Sequence, residues 1–487
     1  MCHNLRILPI AALMIIIISG CGRTESPMTA VDASSYSIAV SGDGRCLVRS
    51  DGAPFFYLAD TAWELFHRLS YEETEEYLKD RASKGFTVIQ AVAVAELDGL
   101  TVPSASGFLP FKDSDPSQPL VLEGPDNDYW DHIDKVVGLA NSLGLQIAML
   151  PTWGRWWHDG DRVAFNPENA FTYGRFLGER YRDAGLIWVL GGDRNPENAE
   201  QYAILEALVS GLDSGDGGRH LMTYHPGGGH SSSEFFHEAA WLDFNMRQNG
   251  HDNLYAVYDG TLKDYLRTPV KPVLDGEPIY EDHPIAFNPD RRGHSTAADV
   301  RRALYWDLMN GAMGHTYGHH SIWQMYDGQG GQRPGVNGPL MSWRDAMAQE
   351  GSSQMVYGKN LILSRPMVTR VPCTSEAFPP QGPETSIPGS GNYRFAAARD
   401  TGGSCLMVYV PLGRSFKLNT SLVSASRISL WWFDPRTGSS TQFGTMDNPG
   451  TLEVTPPSPG EARDWILVVD DASKGYPAPG VPLEENI

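Results

Sequence analysis

Two short acid-bearing segments carry the strongest chemical signal in the chain. Gly191-Gly192-Asp193-Arg194-Asn195 follows the apolar run Leu186 to Leu190, and Asp275-Gly276-Glu277 follows Val273 and Leu274. A carboxyl group at the end of each of two separate apolar runs, with glycines beside it that let the backbone turn sharply, is what acetal hydrolysis requires. One acid protonates the leaving oxygen, and the other attacks the anomeric carbon or activates water. Asp193 and Glu277 are therefore the candidate catalytic pair. The bland alternative is that each caps a helix or pairs with Arg194. Further acids compete: Glu96 opens a long loop, Asp60 could position a sugar hydroxyl or cap a helix, and Asp275, Glu281 and Asp282 lie near Glu277.

Other polar and aromatic residues cluster just past apolar runs. Trp63, Trp153 and Trp323 suit the flat C–H face of a sugar, with Trp156 and Trp157 beside them, although at least one of these tryptophans should be plain packing. Arg194, Asn195, His225, Asn245, Gln248, His315 and His319 complete the expected substrate-binding set. The His315, His319 and His320 group has no zincin-like acid–histidine spacing, so hydrogen bonding to hydroxyls is expected there, with no metal and no cofactor.

These residues need a scaffold that gathers the ends of many strands. From Phe55 to about Leu361 a short apolar run, a polar tip and a helical stretch recur. The expected strands are Phe55–Ala59, Phe86–Val94, Gln146–Leu150, Leu186–Leu190, Leu221–Tyr224, Asp243–Met246, Val273–Leu274 and Met313–Tyr317. Helices are expected at Glu72–Lys84, Tyr129–Ser142, Phe171–Asp183, Ile204–Leu212 and Ala297–Leu308, and a loop insertion at Glu96–Pro125. Eight strands alternating with helices imply a parallel (β/α)8 TIM barrel over residues 36–363, whose active site lies at the C-terminal ends of the strands. An open doubly wound sheet fits less well, because no Gly-rich phosphate turn follows the first strand. Past Leu363 short β-type runs separated by turn clusters, including Asp434-Pro435-Arg436-Thr437-Gly438, imply a small C-terminal β-sandwich over residues 364–475. A loose tail is expected at 476–487.

The 487 residues carry a formal net charge of −21, which disfavours nucleic acid as a partner, since the summed field would repel it. At the N-terminus, Met1 to Arg6 precedes the apolar run Ile7 to Ile18 and then Ser19-Gly20-Cys21. An apolar run of roughly 12 residues is too short to span a bilayer, so residues 1–21 read as an export leader. Ile18-Ser19-Gly20-Cys21 resembles a bacterial lipobox, which marks Cys21 for lipidation and makes a lipid anchor the expected membrane attachment, on the periplasmic or cell-surface side, with 22–35 as a tether. Cys46, Cys373 and Cys405 lack zinc spacing, and Cys373 and Cys405 are candidates for a bridge.

Leu-Ala-Asp-Thr-Ala-Trp ending at Trp63, Trp-Val-Leu-Gly-Gly-Asp-Arg-Asn ending at Asn195, and Asp-Gly-Glu-Pro-Ile-Tyr-Glu ending at Glu281 resemble the apiosidase-like family, glycoside hydrolase family 140. Trp-Trp-Phe-Asp-Pro-Arg-Thr-Gly ending at Gly438 resembles the small β-domain that often follows it, which bears a collagen-binding label that nothing in residues 366–472 supports. The resemblance implies a glycosidase acting on plant pectic oligosaccharide and releasing apiose-linked side chains of rhamnogalacturonan II, with an aspartate acid/base and a glutamate nucleophile. At matching positions these are Asp193 and Glu277. Two alternatives stay open: a glycosidase of this fold on another glycoside, such as an arabinofuranoside or β-hexoside, and a surface glycan-binding lipoprotein without turnover.

Overall fold

The computed structural model describes residue 1 and residues 37–254, 257–328, 333–378 and 391–484. The expected leader beyond Met1, with Cys21, and the whole tether of 22–35 lie outside the described residues.

After a small antiparallel sheet of Ile38–Val40, Leu47–Arg49 and Pro54–Phe55, eight parallel strands follow: β1 (Tyr57–Thr61), β2 (Val88–Val92), β3 (Gln146–Leu150), β4 (Leu186–Gly191), β5 (Met222–His225), β6 (Asn245–Arg247), β7 (Val273–Asp275) and β8 (Gly314–Tyr317). Ladder pairing joins β8-β1-β2-β3-β4-β5 in one sheet and β7-β6 in another. Backbone hydrogen bonds bridge the two seams. The Asp243 N–H donates to Met222 O at 2.9 Å, and the Met313 N–H donates to Val273 O at 2.9 Å. The strands thus curl into a (β/α)8 barrel. Every residue of the eight strands is buried, as expected when helices cover one face and the barrel interior the other.

The main outer helices are α1 (Tyr71–Lys84), α2 (Tyr129–Ser142), α3 (Pro167–Tyr181), α4 (Ala199–Asp216), α5 (Val257–Tyr265), α6 (Ala297–Met309) and α7 (Glu350–Leu363). Local sequence sets their ends. Ser70 and Glu73 form a capping box on α1, and Gly85 closes it in the left-handed region at φ 86°. Helices α3 and α4, which flank β4, touch backbone to backbone through Gly174 and Gly178 against Gly211 and Gly215. A Cβ on Gly178 would fall 2.4 Å from Leu212 O.

The second domain is an antiparallel sheet of β9 (Arg370–Pro372), β10 (Ala396–Asp400), β11 (Cys405–Val410), β13 (Arg427–Asp434), β14 (Ser439–Asp447) and β16 (Trp465–Asp471), with a ribbon of β12 (Phe416–Asn419) and β15 (Thr451–Val454). Alternation splits the sheet's two faces. Leu406, Val408, Leu430, Leu467 and Val469 pack with Phe416, Leu418 and Val454 of the ribbon, while Met407, Tyr409, Ile466 and Val468 join the barrel core. The contact with the barrel is also polar. Arg301 of α6 grips Asp464 with two bonds of 2.9 and 2.6 Å, and Arg365 grips Asp470 at 2.8 and 2.7 Å.

Two expectations change. Cys373 and Cys405 are separate buried thiols, not a bridge. The tail expected to be loose is anchored as far as residue 484: the Tyr476 hydroxyl donates to Ser404 Oγ at 2.9 Å, and the Leu483 N–H donates to Leu363 O at 2.9 Å.

Candidate active site

A cavity of about 510 Å³ opens at the C-terminal end of the barrel. All eight strand-following segments reach it: Trp63 after β1, Glu96 and Leu97 after β2, Trp153 after β3, Asp193 after β4, Gly228 and Gly229 after β5, Gln248 to Asp252 (Asn249 excepted) after β6, Glu277, Tyr280, His283, Ala286 and Phe287 after β7, and Trp323, Val336 and Asn337 after β8. This is the face on which parallel strands deliver loops that vary without disturbing the barrel.

Glu277 sits at the floor and is held by imidazoles on two sides. His225 Nε2 lies 2.9 Å from its Oε2, and His251 Nε2 lies 3.1 Å from its Oε1. Tyr280, its phenol kept neutral by burial, hydrogen-bonds Glu277 and accepts from Trp63 Nε1 at 3.2 Å. Burial opposes charge on Glu277, but the hydrogen bonds of His225 and His251 outweigh it and hold the carboxyl well below the ordinary glutamate range.

Asp193 has the opposite surroundings. Burial lifts its carboxyl above the ordinary range, and the charge of Glu277 lifts it further against the pull of Arg194 and Gln248. Its backbone is strained: Gly191 and Gly192 both have φ 94°, and Asp193 itself has φ 60°. The glycines are needed for approach as well. A Cβ on Gly191 would lie 2.3 Å from His225 O, and one on Gly192 would lie 2.7 Å from Gly154 N. The turn aims the Asp193 N–H at His225 Nδ1, 3.2 Å away. Because Nδ1 accepts that hydrogen bond, the ring's own proton sits on Nε2, the nitrogen that faces Glu277.

A third carboxyl, Glu96, faces the same cavity and is pushed up to about 7 by burial first and then by the charge of Asp193 and Glu64.

The other expected site residues divide. Trp63, Trp153, Gln248 and Trp323 line the cavity, and His225 lies beneath it against Glu277. Arg194 does not line the cavity. It grips Asp159 with two bonds of 2.8 Å and reaches the Asp193 carboxyl at 3.2 Å. Asn195 accepts the Gly227 N–H at 2.9 Å and so pins the β5 loop.

Asp60, Asn245, His315 and His319 lie away from the cavity. Asp60 is fully buried, accepting from the Tyr77 hydroxyl at 2.7 Å and from Arg81 Nε, both on α1. Asn245 meets His237 at 3.2 Å, and His315 meets Asp307 of α6 at 2.9 Å. These positions have the strand parity that faces the helix layer, whereas Thr61 and Gln90 bond each other inside. His319 accepts the Ser321 N–H at 3.0 Å and lies 3.4 Å from Asp282. Among the competing acids, Asp275 is bonded by Asn249 at 2.7 Å, and Glu281 accepts from the Tyr317 hydroxyl at 2.6 Å and the Gly351 N–H at 3.2 Å, so neither faces the cavity. Trp156 and Trp157 are packing residues whose indoles donate to Ala95 O and Gly191 O at 3.0 and 2.8 Å. His251, Tyr280, His283 and Phe287 were not among the residues expected from sequence. They sit in segments without regular periodicity, where type alone gave no direction. Among the described residues no group of His, Cys, Asp and Glu side chains could hold a metal ion.

Comparison with known proteins agrees with this geometry. Residues 41–369 match the model of the apiosidase-like catalytic domain, and residues 384–470 match that of a collagen-binding-type domain of a collagenase. No curated protein matches. Among solved structures, a glycoside hydrolase is 32% identical with a TM-score of 0.81, the match covering 91% of this chain and 99% of that one. A glycoside hydrolase family 5 protein from Bacteroides vulgatus is 30% identical with a TM-score of 0.83, covering 94% and 98%. Two carboxyls in opposed surroundings, on the loop face of a barrel shared along nearly its whole length with glycoside hydrolases, identify the chain as a glycosidase belonging to the apiosidase-like family.

Proposed function

We propose that this enzyme cleaves apiosidic linkages in rhamnogalacturonan II side chains of plant pectin, with retention of anomeric configuration. The observation that carries the mechanism is the opposed setting of two carboxyls in one cavity, with Glu277 drawn below the ordinary range by two imidazoles and Asp193 raised above it by burial and the charge of Glu277. Glu277 attacks the anomeric carbon while Asp193 passes its proton to the leaving oxygen, which departs as a neutral alcohol. Asp193, now ionised, takes a proton from water as the water oxygen displaces Glu277 from the same carbon. The substrate assignment is supported by the three motif stretches of the sequence and by the family match. We place the enzyme outside the cytoplasm, tethered through a lipid on Cys21, on the strength of the leader pattern.

Incubating the protein with rhamnogalacturonan II and resolving products by mass and sugar composition tests the substrate. Release of an apiose-ended fragment, abolished in Glu277→Ala, is the expected result. A folded protein that releases nothing refutes the pectic substrate. Following the anomeric proton of the first-formed sugar by NMR tests retention, and an inverted product refutes it.

A further inference from the structure

We infer that Phe287 is the platform of a second sugar subsite beside Glu277, which rests on the glycosidase reading and extends it to a substrate at least two sugars long. The side chain lines the mouth of the cavity yet is 61% exposed, unlike the buried tryptophans deeper in. Its backbone is held in a form that side chains avoid: Ala286 and Phe287 are consecutive non-glycine residues in the left-handed region, at φ 50° and 56°. A strained conformation persists only where its surroundings enforce it. Here the Ala286 N–H donates to His251 O at 2.8 Å, the Phe287 N–H donates to Pro284 O at 2.9 Å, and the Ile285 N–H donates to Gly293 O at 3.0 Å.

The ring itself is fixed edge-on. It makes a T-shaped contact with His283 at 4.8 Å and 87°, and another with His251 at 5.8 Å and 77°. His251 is the residue whose Nε2 touches Glu277. One imidazole therefore separates the ring from the nucleophile, which places it beside the sugar under attack. An exposed apolar ring on the cavity wall meets the C–H face of a neighbouring sugar, and Asp252 and Asn337, which line the same cavity, offer polar partners for its hydroxyls. The occupant is the next saccharide of the chain, not the one whose bond is cut.

The test is calorimetric titration of Glu277→Gln and of Glu277→Gln/Phe287→Ala with two probes, free apiose and rhamnogalacturonan II side-chain oligosaccharides. The added Phe287→Ala change is expected to weaken oligosaccharide binding about tenfold and leave apiose binding unchanged, while Phe287→Trp retains the affinity. Equal weakening of both probes, or no weakening of the oligosaccharide, overturns the subsite and leaves the substrate reading intact. If Glu277→Gln binds neither probe and the wild type releases nothing from rhamnogalacturonan II, the substrate reading falls and this occupant with it.

Discussion

Replacing His251 by alanine should move the acid limb of the kcat/KM profile upward. In the proposed mechanism Glu277 must be ionised to act, so activity rises as pH passes its pKa, which the flanking imidazoles hold below the ordinary range. The two contacts, at 2.9 Å from His225 and 3.1 Å from His251, are of similar length, so losing one removes roughly half of the support. A hydrogen bond to a charged group contributes about 1.5–3 kcal/mol. At about 1.4 kcal/mol per pH unit, this corresponds to a rise of about one to two units in the pKa of Glu277. On the acid side of the profile activity then falls about ten- to a hundredfold, while the plateau changes far less. His251→Gln, which keeps a side-chain N–H, should recover part of the shift. The assay is kcat/KM across pH on a single substrate, with circular dichroism at each pH to confirm folding. A limb that does not move, or a uniform fall at every pH, would show that His251 shapes the site without setting the ionisation of Glu277.

Glu96→Gln removes a charge that holds the Asp193 proton, so the alkaline limb of the same profile should move to lower pH; an unmoved limb separates the two carboxyls electrostatically. Arg81→Met leaves Asp60 buried without its cation and should destabilise the fold by about 3–5 kcal/mol in denaturant titration, with kcat of the folded fraction unchanged because neither residue lines the cavity. Burial pushes the Asp307 carboxyl up to about 8, so its contribution to stability is full below its unfolded pKa of about 4 and is lost as pH rises through 8. Asp307→Asn, which cannot titrate, should therefore narrow the difference in Tm between pH 5 and pH 9, and an unchanged difference counts against a protonated Asp307.

The strand–helix order was readable because covered parallel strands are short apolar runs, and Gln146–Leu150 has the bounds expected of it. Strand ends were less readable. The run expected at Phe86–Val94 shortens to Val88–Val92, because hydrophobicity continues through Ala93 to Ala95 beneath the loops after pairing has stopped. Within the site, Asp193 and Glu277 could be found from glycine turns beside acids. Asp60, Asn245 and His315 were misplaced because residue type at a strand's end does not reveal which face the side chain takes. His251 and Phe287 escaped notice for another reason: their direction comes from backbone bonds between the β6 and β7 loops, which no local pattern encodes.

The asymmetry between the two acids does not come from burial, which lifts both Asp193 and Glu277. It comes from where the donors point. The strained turn spends the Asp193 N–H on His225 Nδ1, and that bond leaves the opposite ring nitrogen, with its proton, to Glu277. Thus the backbone conformation at Asp193 helps to keep Glu277 charged, and the charge of Glu277 in turn raises the Asp193 carboxyl above its ordinary range. Exchanging aspartate and glutamate between the two positions would change reach, but it would not exchange roles. In the proposed mechanism the roles follow the positions, because a backbone amide and a histidine ring set the surroundings of each carboxyl.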